Sequence, residues 1–249
     1  MKIVSWNCGE ATSKEIFSEE KAAYIDDYAA DIYVIQECTE NDVKNLNKFK
    51  KNKKFYCDKP IIDSPYGIGI FSDKFNIELL SDHNPEFRYF LPYRIFNHEF
   101  EFALFAVWTK GKDKNNKDVE YTVQTWGAIN HEPYKKYLNG PIILIGDFNS
   151  NNYWDKDYKS NKEPSHNDII EKLREYNIES AYHKYYNCIN GNEKEPTEFY
   201  LMDENKKYHV DYCFASGNFS ITDVKVGSLA EWRKTKYSDH CPISIDLKV

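Results

Sequence analysis

Apolar positions along the chain alternate between two rhythms. Residues 2–6, Lys-Ile-Val-Ser-Trp, and residues 31–36, Asp-Ile-Tyr-Val-Ile-Gln, are short β-branched runs; between them, residues 14–30 place Ile16, Ala22, Ala23 and Ile25 at roughly helical spacing. The second run is apolar enough for burial on both faces, so strand, helix, strand predicts a layered β/α arrangement. Four strand candidates follow in succession, over 67–72, 75–80, 87–97 and 100–108, and read as an antiparallel meander. After the polar break 111–118, residues 118–138 return to helical spacing through Val119, Val123, Trp126, Ile129 and Tyr137, until Asn139-Gly140-Pro141 stops them. The run from Ile142 to Ile145 is the most apolar of all and ends at Gly146-Asp147-Phe148-Asn149. Ser165 with Asp168 three residues on has the capping-box pattern for a helix to about residue 176. Strands near 197–202, 209–216, 219–226 and 242–248 complete a pattern of two sheets, each with helices. With no internal repeat, linker or low-complexity tail, residues 1–249 are expected to form one domain.

Composition narrows the class. With 41% hydrophobic and 16% aromatic residues against a net charge of −7, the 249-residue chain can bury a sizeable core, and general disorder is excluded. No run of about 18 apolar residues occurs and the first residues are too polar for a signal peptide, so the expected protein is cytoplasmic, with no membrane insertion and no evident obligate protein partner. The six cysteines lack CxxC or zinc-type spacing and read as thiols. A pI near 5.6 argues against a protein that coats nucleic acid, yet permits an enzyme with a local positive cleft or a bound dication.

Five stretches follow or end apolar strands with polar residues: Ser5-Trp6-Asn7, Ile35-Gln36-Glu37, Gly146-Asp147-Phe148-Asn149-Ser150, His209-Val210-Asp211-Tyr212 and Ser238-Asp239-His240-Cys241-Pro242. Any one of them serves equally as a turn or cap, because short polar side chains satisfy nearby backbone groups. Asp147 and Asn149, two apart in an extended segment, point to the same side. Cys8, Cys38, Cys213 and Cys241 sit beside motif residues, where strand alternation turns them to the opposite face as buried thiols.

Taken in order, the five stretches resemble the endonuclease/exonuclease/phosphatase superfamily, which includes pancreatic-type deoxyribonucleases, exonuclease III-like abasic-site nucleases, sphingomyelinases and inositol polyphosphate 5-phosphatases. The resemblance runs from Asn7 to Pro242 and implies a four-layer α/β/β/α sandwich of two mixed sheets with flanking helices. It implies a Mg2+ ion, with Mn2+ as possible substitute, where Glu37 is the main ligand, Asn7 binds metal-held water or phosphate, and Asp239 completes the outer sphere. Asp147 would orient or deprotonate the attacking water, and Asn149 would donate to a phosphate oxygen. His240 would contact the phosphate or act with Asp211 as an acid/base pair; whether Asp147 or His240 is the base stays open. Where many members carry a His or Tyr this chain has Trp108-Thr109-Lys110, so leaving-group assistance would pass to Lys110, a water or the metal. Arg94 stands where family nucleases place a phosphate-binding arginine, or is a surface charge on a strand.

Two further features bear on substrate. Lys48, Lys50, Lys51, Lys53 and Lys54, with Phe49 and Phe55, either track a nucleic-acid backbone or form a solvated helix end and turn. Tyr153, Trp154 and Trp232 are placed in rim loops, where an indole with cations suits a base beside a phosphate, or they pack in the core. The resulting expectation is a metal-dependent phosphoesterase acting on nucleic acid, with a small-molecule or lipid phosphoester as the alternative substrate. A silent scaffold is disfavoured because the whole set from Asn7 to His240 is intact.

Overall fold

The computed structural model describes residues 1–9, 19–46, 52–57, 65–112, 117–155 and 163–249. The chain opens with β1 (Lys2–Asn7), α1 (Glu19–Asp26) and β2 (Ile32–Cys38), followed by α2 (Glu40–Leu46), β3 (Asn52–Tyr56) and β4 (Gly67–Ser72). Of the four strands expected to form a meander, only β5 (Asn76–Leu79), β6 (Phe90–Phe96) and β7 (Glu101–Trp108) do so; β4 pairs instead with β2 and β3. Helices α3 (Tyr121–Asn130) and α4 (Glu132–Leu138) lead to β8 (Ile142–Asp147), then α5 (Asn152–Asp155), α6 (His166–Arg174), β9 (Ile178–Ser180) and α7 (Ala181–Tyr186). The last elements are β10 (Glu198–Phe199), β11 (Lys207–Tyr208), β12 (Asp211–Ser216), β13 (Ser220–Val226), α8 (Leu229–Thr235) and β14 (Ile243–Lys248).

Two six-stranded mixed sheets result, in the orders β13-β14-β1-β2-β4-β3 and β5-β6-β7-β8-β12-β9. Each has a parallel pair near its middle, β1 with β2 and β7 with β8, because a helical crossover joins those strands, while the remaining neighbours run antiparallel. Strand alternation then decides what faces what. Ile3, Ile32, Val34, Ile143, Ile145, Cys213 and Ala215 point between the sheets into one shared core. Val4, Trp6, Tyr33 and Ile35 point outward under α1, and Leu144, Tyr212 and Phe214 point outward under α3, α4 and α6. The outcome is the α/β/β/α sandwich.

Several boundaries differ from the sequence reading, each for a local reason. The expected helix 118–138 breaks at His131, whose φ of −70° and ψ of 121° are extended, because Pro133 cannot donate to the preceding turn and its ring clashes there. Only Glu198–Phe199 of the expected strand 197–202 is extended before a 3-10 turn at Tyr200–Met202. Helix α8 went unread although Ser228 and Glu231 form a reciprocal capping box, as Ser165 and Asp168 do for α6. Lys53 and Lys54 belong to β3, an edge strand, where lysines discourage pairing with another sheet. Lys48, Phe49, Lys50, Lys51 and the start of the 14–30 helix lie outside the described residues.

The sheets approach closely at one end of the core, where side chains are small or polar. Gln36 donates through Nε2 to Ser5 Oγ at 2.9 Å, and both are fully buried. Gly146 has φ +147°, and a Cβ there would lie 1.9 Å from the Val107 carbonyl oxygen and 3.0 Å from Gln36 Nε2. Gly146→Ala is therefore expected to cost about 2–5 kcal/mol through backbone strain and overpacking. Urea unfolding measures this, and a variant as stable as the wild type would contradict the packing account.

Candidate active site

The alternation that builds the core also aims the chemistry. Asn7 continues the inward set of Ile3 and Ser5, Asp147 that of Ile143 and Ile145, and Asp211 begins that of Cys213 and Ala215. All three lie at strand ends on the same rim, and Asp211 is the direct cross-strand partner of Asp147. Glu37 would point outward by the same count. It is instead the bulged residue between Gln36 and Cys38, with φ +57°, and the bulge re-aims its side chain to the rim.

One amide joins the two sheets here. Asn7 Nδ2 donates to Glu37 Oε1 at 3.0 Å and to Asp147 Oδ2 at 3.0 Å, while its Oδ1 accepts from the Gly9 N–H at 3.0 Å. Asp147 also accepts from the Asn149 backbone at 2.9 Å and from Asn149 Nδ2 at 2.8 Å; that same Nδ2 reaches the Thr109 carbonyl at 3.2 Å. An amide nitrogen has two hydrogens, so both amides are committed to neighbouring oxygens in this state. Asn149, at φ +48°, holds a strained turn that makes this possible.

A second cross-sheet link is the buried pair His240 and Asp211, Nδ1 to Oδ2 at 2.9 Å. Ser238 fixes it in place, donating to the Asn7 carbonyl at 2.7 Å and accepting from the His240 N–H at 3.0 Å. Burial alone would lower the His240 pKa, but the charge and hydrogen bond of Asp211, joined by Asp147 and Asp239, carry it well above the usual histidine value. Burial pushes Asp147 up; the His240 charge opposes that shift and the Asp211 charge adds to it. Asp147, Asp211 and His240 bring donor atoms within 4.8 Å of one another, a grouping able to hold a metal ion once His240 gives up its proton, and among the described residues Asp211 Oδ1 is buried without a hydrogen-bond partner.

Glu198 is the residue that the sequence reading missed. Thr197 Oγ1 accepts from the N–H groups of Val210 and Asp211, the Thr197 carbonyl accepts from Cys241, and Phe199 donates to the Asp239 carbonyl. These bonds lay Glu198 beside His240 with 8% of its surface exposed. Burial pushes Glu198 up to about 7, with His240 opposing and Asp211, Asp239 and Glu37 adding to the shift. The only signal was an acid inside an otherwise apolar strand pattern. Tyr121, in the first turn of α3, is raised by burial and then by the charge of Asp147.

Other candidates fall elsewhere. Trp108 is 1% exposed, pointing into the core against Tyr89, so its ring is part of the site's floor rather than a substrate contact. Lys110 Nζ sits 3.1 Å from the Trp108 ring centroid, which keeps this cation at the site end of β7. Arg94 pairs across to Ala103, and Ala103 to Ile142, at the opposite end of β8 from Asp147, about 16 Å away at strand spacing. Its guanidinium is neutralised by Glu101 at 2.6 Å and Glu78 at 3.3 Å, so Arg94 is a surface charge. Trp232 is on α8 rather than a rim loop: it is 3% exposed, lies against Phe199 at 4.3 Å and donates to the Ser238 carbonyl at 2.9 Å. Its indole packs and offers no open face for a base. Nearby Arg233 is paired with Glu204 at 2.6 Å. Tyr153 and Trp154 are on α5 rather than in a loop; Trp154 is half-buried against Tyr208 and Tyr153 is exposed.

The buried acids make a testable link to pH. In the metal-free folded protein Glu198 keeps its proton to about 7, whereas the unfolded chain releases it near the ordinary 4.5, so this group's contribution falls as pH rises through that window. His166, which burial pushes down to about 3, acts oppositely below its ordinary 6.5. Thermal unfolding in chelator isolates the carboxyl: Glu198→Gln should flatten the loss of stability between pH 5 and 7 relative to wild type. Identical slopes would show that Glu198 ionises freely in the fold.

Comparisons with known proteins agree with this architecture. The family model described as "Endonuclease/Exonuclease/phosphatase family" matches residues 4–240. No curated protein matches the chain. Among solved structures, an endonuclease/exonuclease/phosphatase from Beutenbergia cavernae superposes with a TM-score of 0.67 at 15% identity, covering 100% of this chain and 71% of that one. An AP endonuclease from Archaeoglobus fulgidus gives 0.67 at 15% identity with 100% of both chains covered. A 3'-5' exonuclease from Neisseria meningitidis gives 0.62 at 15% identity, again over 100% of both. At such identity the superpositions speak for the fold, while the family match spans nearly the whole sequence, and the chain belongs to the endonuclease/exonuclease/phosphatase family of phosphoester hydrolases.

Proposed function

We propose that this phosphoesterase is a metal-dependent nuclease that hydrolyses phosphodiester bonds in nucleic acid, with Mg2+, replaceable by Mn2+, as its cofactor. The observation that supports the reading is the Asn7 amide bonded to Glu37 and to Asp147 at 3.0 Å each, so that the carboxylate proposed to hold the metal and the one proposed to direct the water share one donor. Buried, mutually repelling acids and the orphaned Asp211 oxygen fit a hard dication. Glu37, steadied by Asn7, together with Asp239 would hold it, and when bound it would neutralise charge on the phosphate.

The remaining roles fall to the chain's own groups. His240, kept protonated by Asp211, is a cationic donor toward a phosphate oxygen and is poorly suited to take a proton. That leaves Asp147 as the base, aligned by three amide hydrogen bonds on its carboxylate. Asn149 then acts first as a positioning residue for Asp147, and it reaches the phosphate only by giving up one of its two bonds. Lys110, held over the Trp108 ring, would supply a donor for the leaving oxygen in place of the His or Tyr missing at Trp108.

Nucleic acid as substrate is supported by the likeness to an AP endonuclease and a 3'-5' exonuclease. A small phosphoester is favoured instead by the net charge of −7 and by the carboxylates that neutralise Arg94 and Arg233. The six cysteines, none of them in a disulfide, support the cytoplasm as the compartment. Among the described residues no helix is long and apolar enough to cross a membrane.

Chelation should abolish turnover, and Glu37→Ala should lower it more than about 100-fold with the fold retained. Full activity in excess chelator would end the metal assignment. Asp147→Asn should reduce kcat by about 10^2–10^4-fold with little change in KM, as for a lost base; a loss confined to KM would make Asp147 a binding group. Cleavage of oligonucleotides should fall about tenfold or more between roughly 50 and 200 mM salt through counterion release, while a chromogenic diester responds little. No cleavage of DNA or RNA with any divalent metal would leave the small-phosphoester reading in its place.

A further inference from the structure

Beside the rim that carries Asp147 and Asp211 lies a cavity of about 460 Å3, between α5 and the segment 191–209. Its size falls in the range of small-ligand pockets. Its floor is tied to the catalytic strands. Asn151, two residues past Asn149, donates through Nδ2 to the His209 carbonyl at 2.9 Å and to the Tyr212 hydroxyl at 2.7 Å. His209 lies two residues before Asp211, about 7 Å at extended spacing, so the cavity borders the candidate site.

The lining is aromatic on one side and charged at its edges. Trp154 and Tyr208 both line the cavity and meet at 4.9 Å between ring centroids with 48° between their planes, so the two rings are tilted against each other rather than stacked flat. Tyr153, in the same wall, is 56% exposed. Lys194 and Lys207 stand exposed at the edge, whereas Glu193 and Glu195 lie in the wall. Glu193 is fixed by His183 Nε2 at 2.8 Å, and Glu195 by the Tyr182 hydroxyl. Two fixed carboxylates repel an anion, while the aromatic faces attract a flat neutral ring. The cavity thus favours an uncharged ring over a phosphate, while the phosphate would be held at the rim by His240 and the proposed cation.

We propose that this cavity is a nucleobase subsite, in which Trp154 and Tyr208 stack one base of the substrate while its phosphate lies at the Asp147 rim and the flanking strand passes Lys194 and Lys207. The assignment rests on the nucleic-acid reading above, and it gives that reading a source of affinity that does not depend on a basic surface. Stacking of this kind is sequence-tolerant, because every base presents a ring face.

Isothermal titration of the full chain with adenosine 5'-monophosphate, ribose 5-phosphate and inorganic phosphate tests it without turnover. The nucleotide should bind roughly 5- to 150-fold more tightly than ribose 5-phosphate, the ratio given by one stacked base. Trp154→Ala should remove that advantage, Tyr208→Leu should reduce it, and Trp154→Phe, which keeps a ring, should retain most of it. Equal binding of nucleotide and ribose 5-phosphate, or an undiminished ratio in Trp154→Ala and Tyr208→Leu, would overturn the subsite. Oligonucleotide cleavage by the wild type separates the two claims. Cleavage without base-selective binding removes the subsite alone. Base-selective binding with no cleavage of DNA or RNA supports the subsite and removes the nuclease reading.

Discussion

A single side-chain amide, that of Asn7, stands between two carboxylates that would otherwise repel each other. Glu37 arrives from one sheet and Asp147 from the other, and the two hydrogens of Asn7 Nδ2 satisfy one oxygen of each. An aspartate here would put three negative charges in contact, and an alanine would leave two carboxylates facing one another without a donor. The geometry depends on how closely the sheets approach at this end, which in turn depends on Ser5, Gln36 and the missing side chain of Gly146. The candidate site is thus a property of sheet packing as much as of its own residues.

Charge burial is the other side of this arrangement. Asp147, Asp211 and His240 are all nearly inaccessible, and Glu198 joins them at the edge. One imidazolium cannot balance that many acids, and without a bound cation burial favours a proton on Glu198 and Asp147; beside a cation held at Glu37, Asp147 would release its proton and be free for its proposed role as base. Left-handed backbone at Glu37 and Asn149 adds local strain on the same rim. Strain and unbalanced charge concentrate where the chemistry is proposed, while the apolar faces of the two sheets and their helices supply the stability that tolerates them.

Much of this was legible in the sequence because two signals carry far. β-branched runs with polar terminators located β1, β2, β8 and β12, and the order of the five polar stretches pointed to the family. What stayed hidden depends on tertiary context. Glu198 has no motif and becomes a site residue only when Thr197 is laced to Val210, Asp211 and Cys241. Alternation alone would have turned Glu37 outward, and no local pattern announces the bulge that turns it back. Trp108 and Trp232 were read by residue type, but an indole's role follows from what covers it, and both are covered. Arg94 was read by its place in strand order, while its position along the strand sets it at the wrong end of the sheet.

The central claim is that Asn7 couples the proposed cation-holding carboxylate to the proposed base, and Mn2+ affinity tests it most directly. Mn2+ binding followed by electron paramagnetic resonance, in the wild type and in Asn7→Ser, should show affinity about 10–100-fold weaker in the variant, with the circular dichroism spectrum unchanged. Affinity equal to wild type in a folded Asn7→Ser protein would contradict the account.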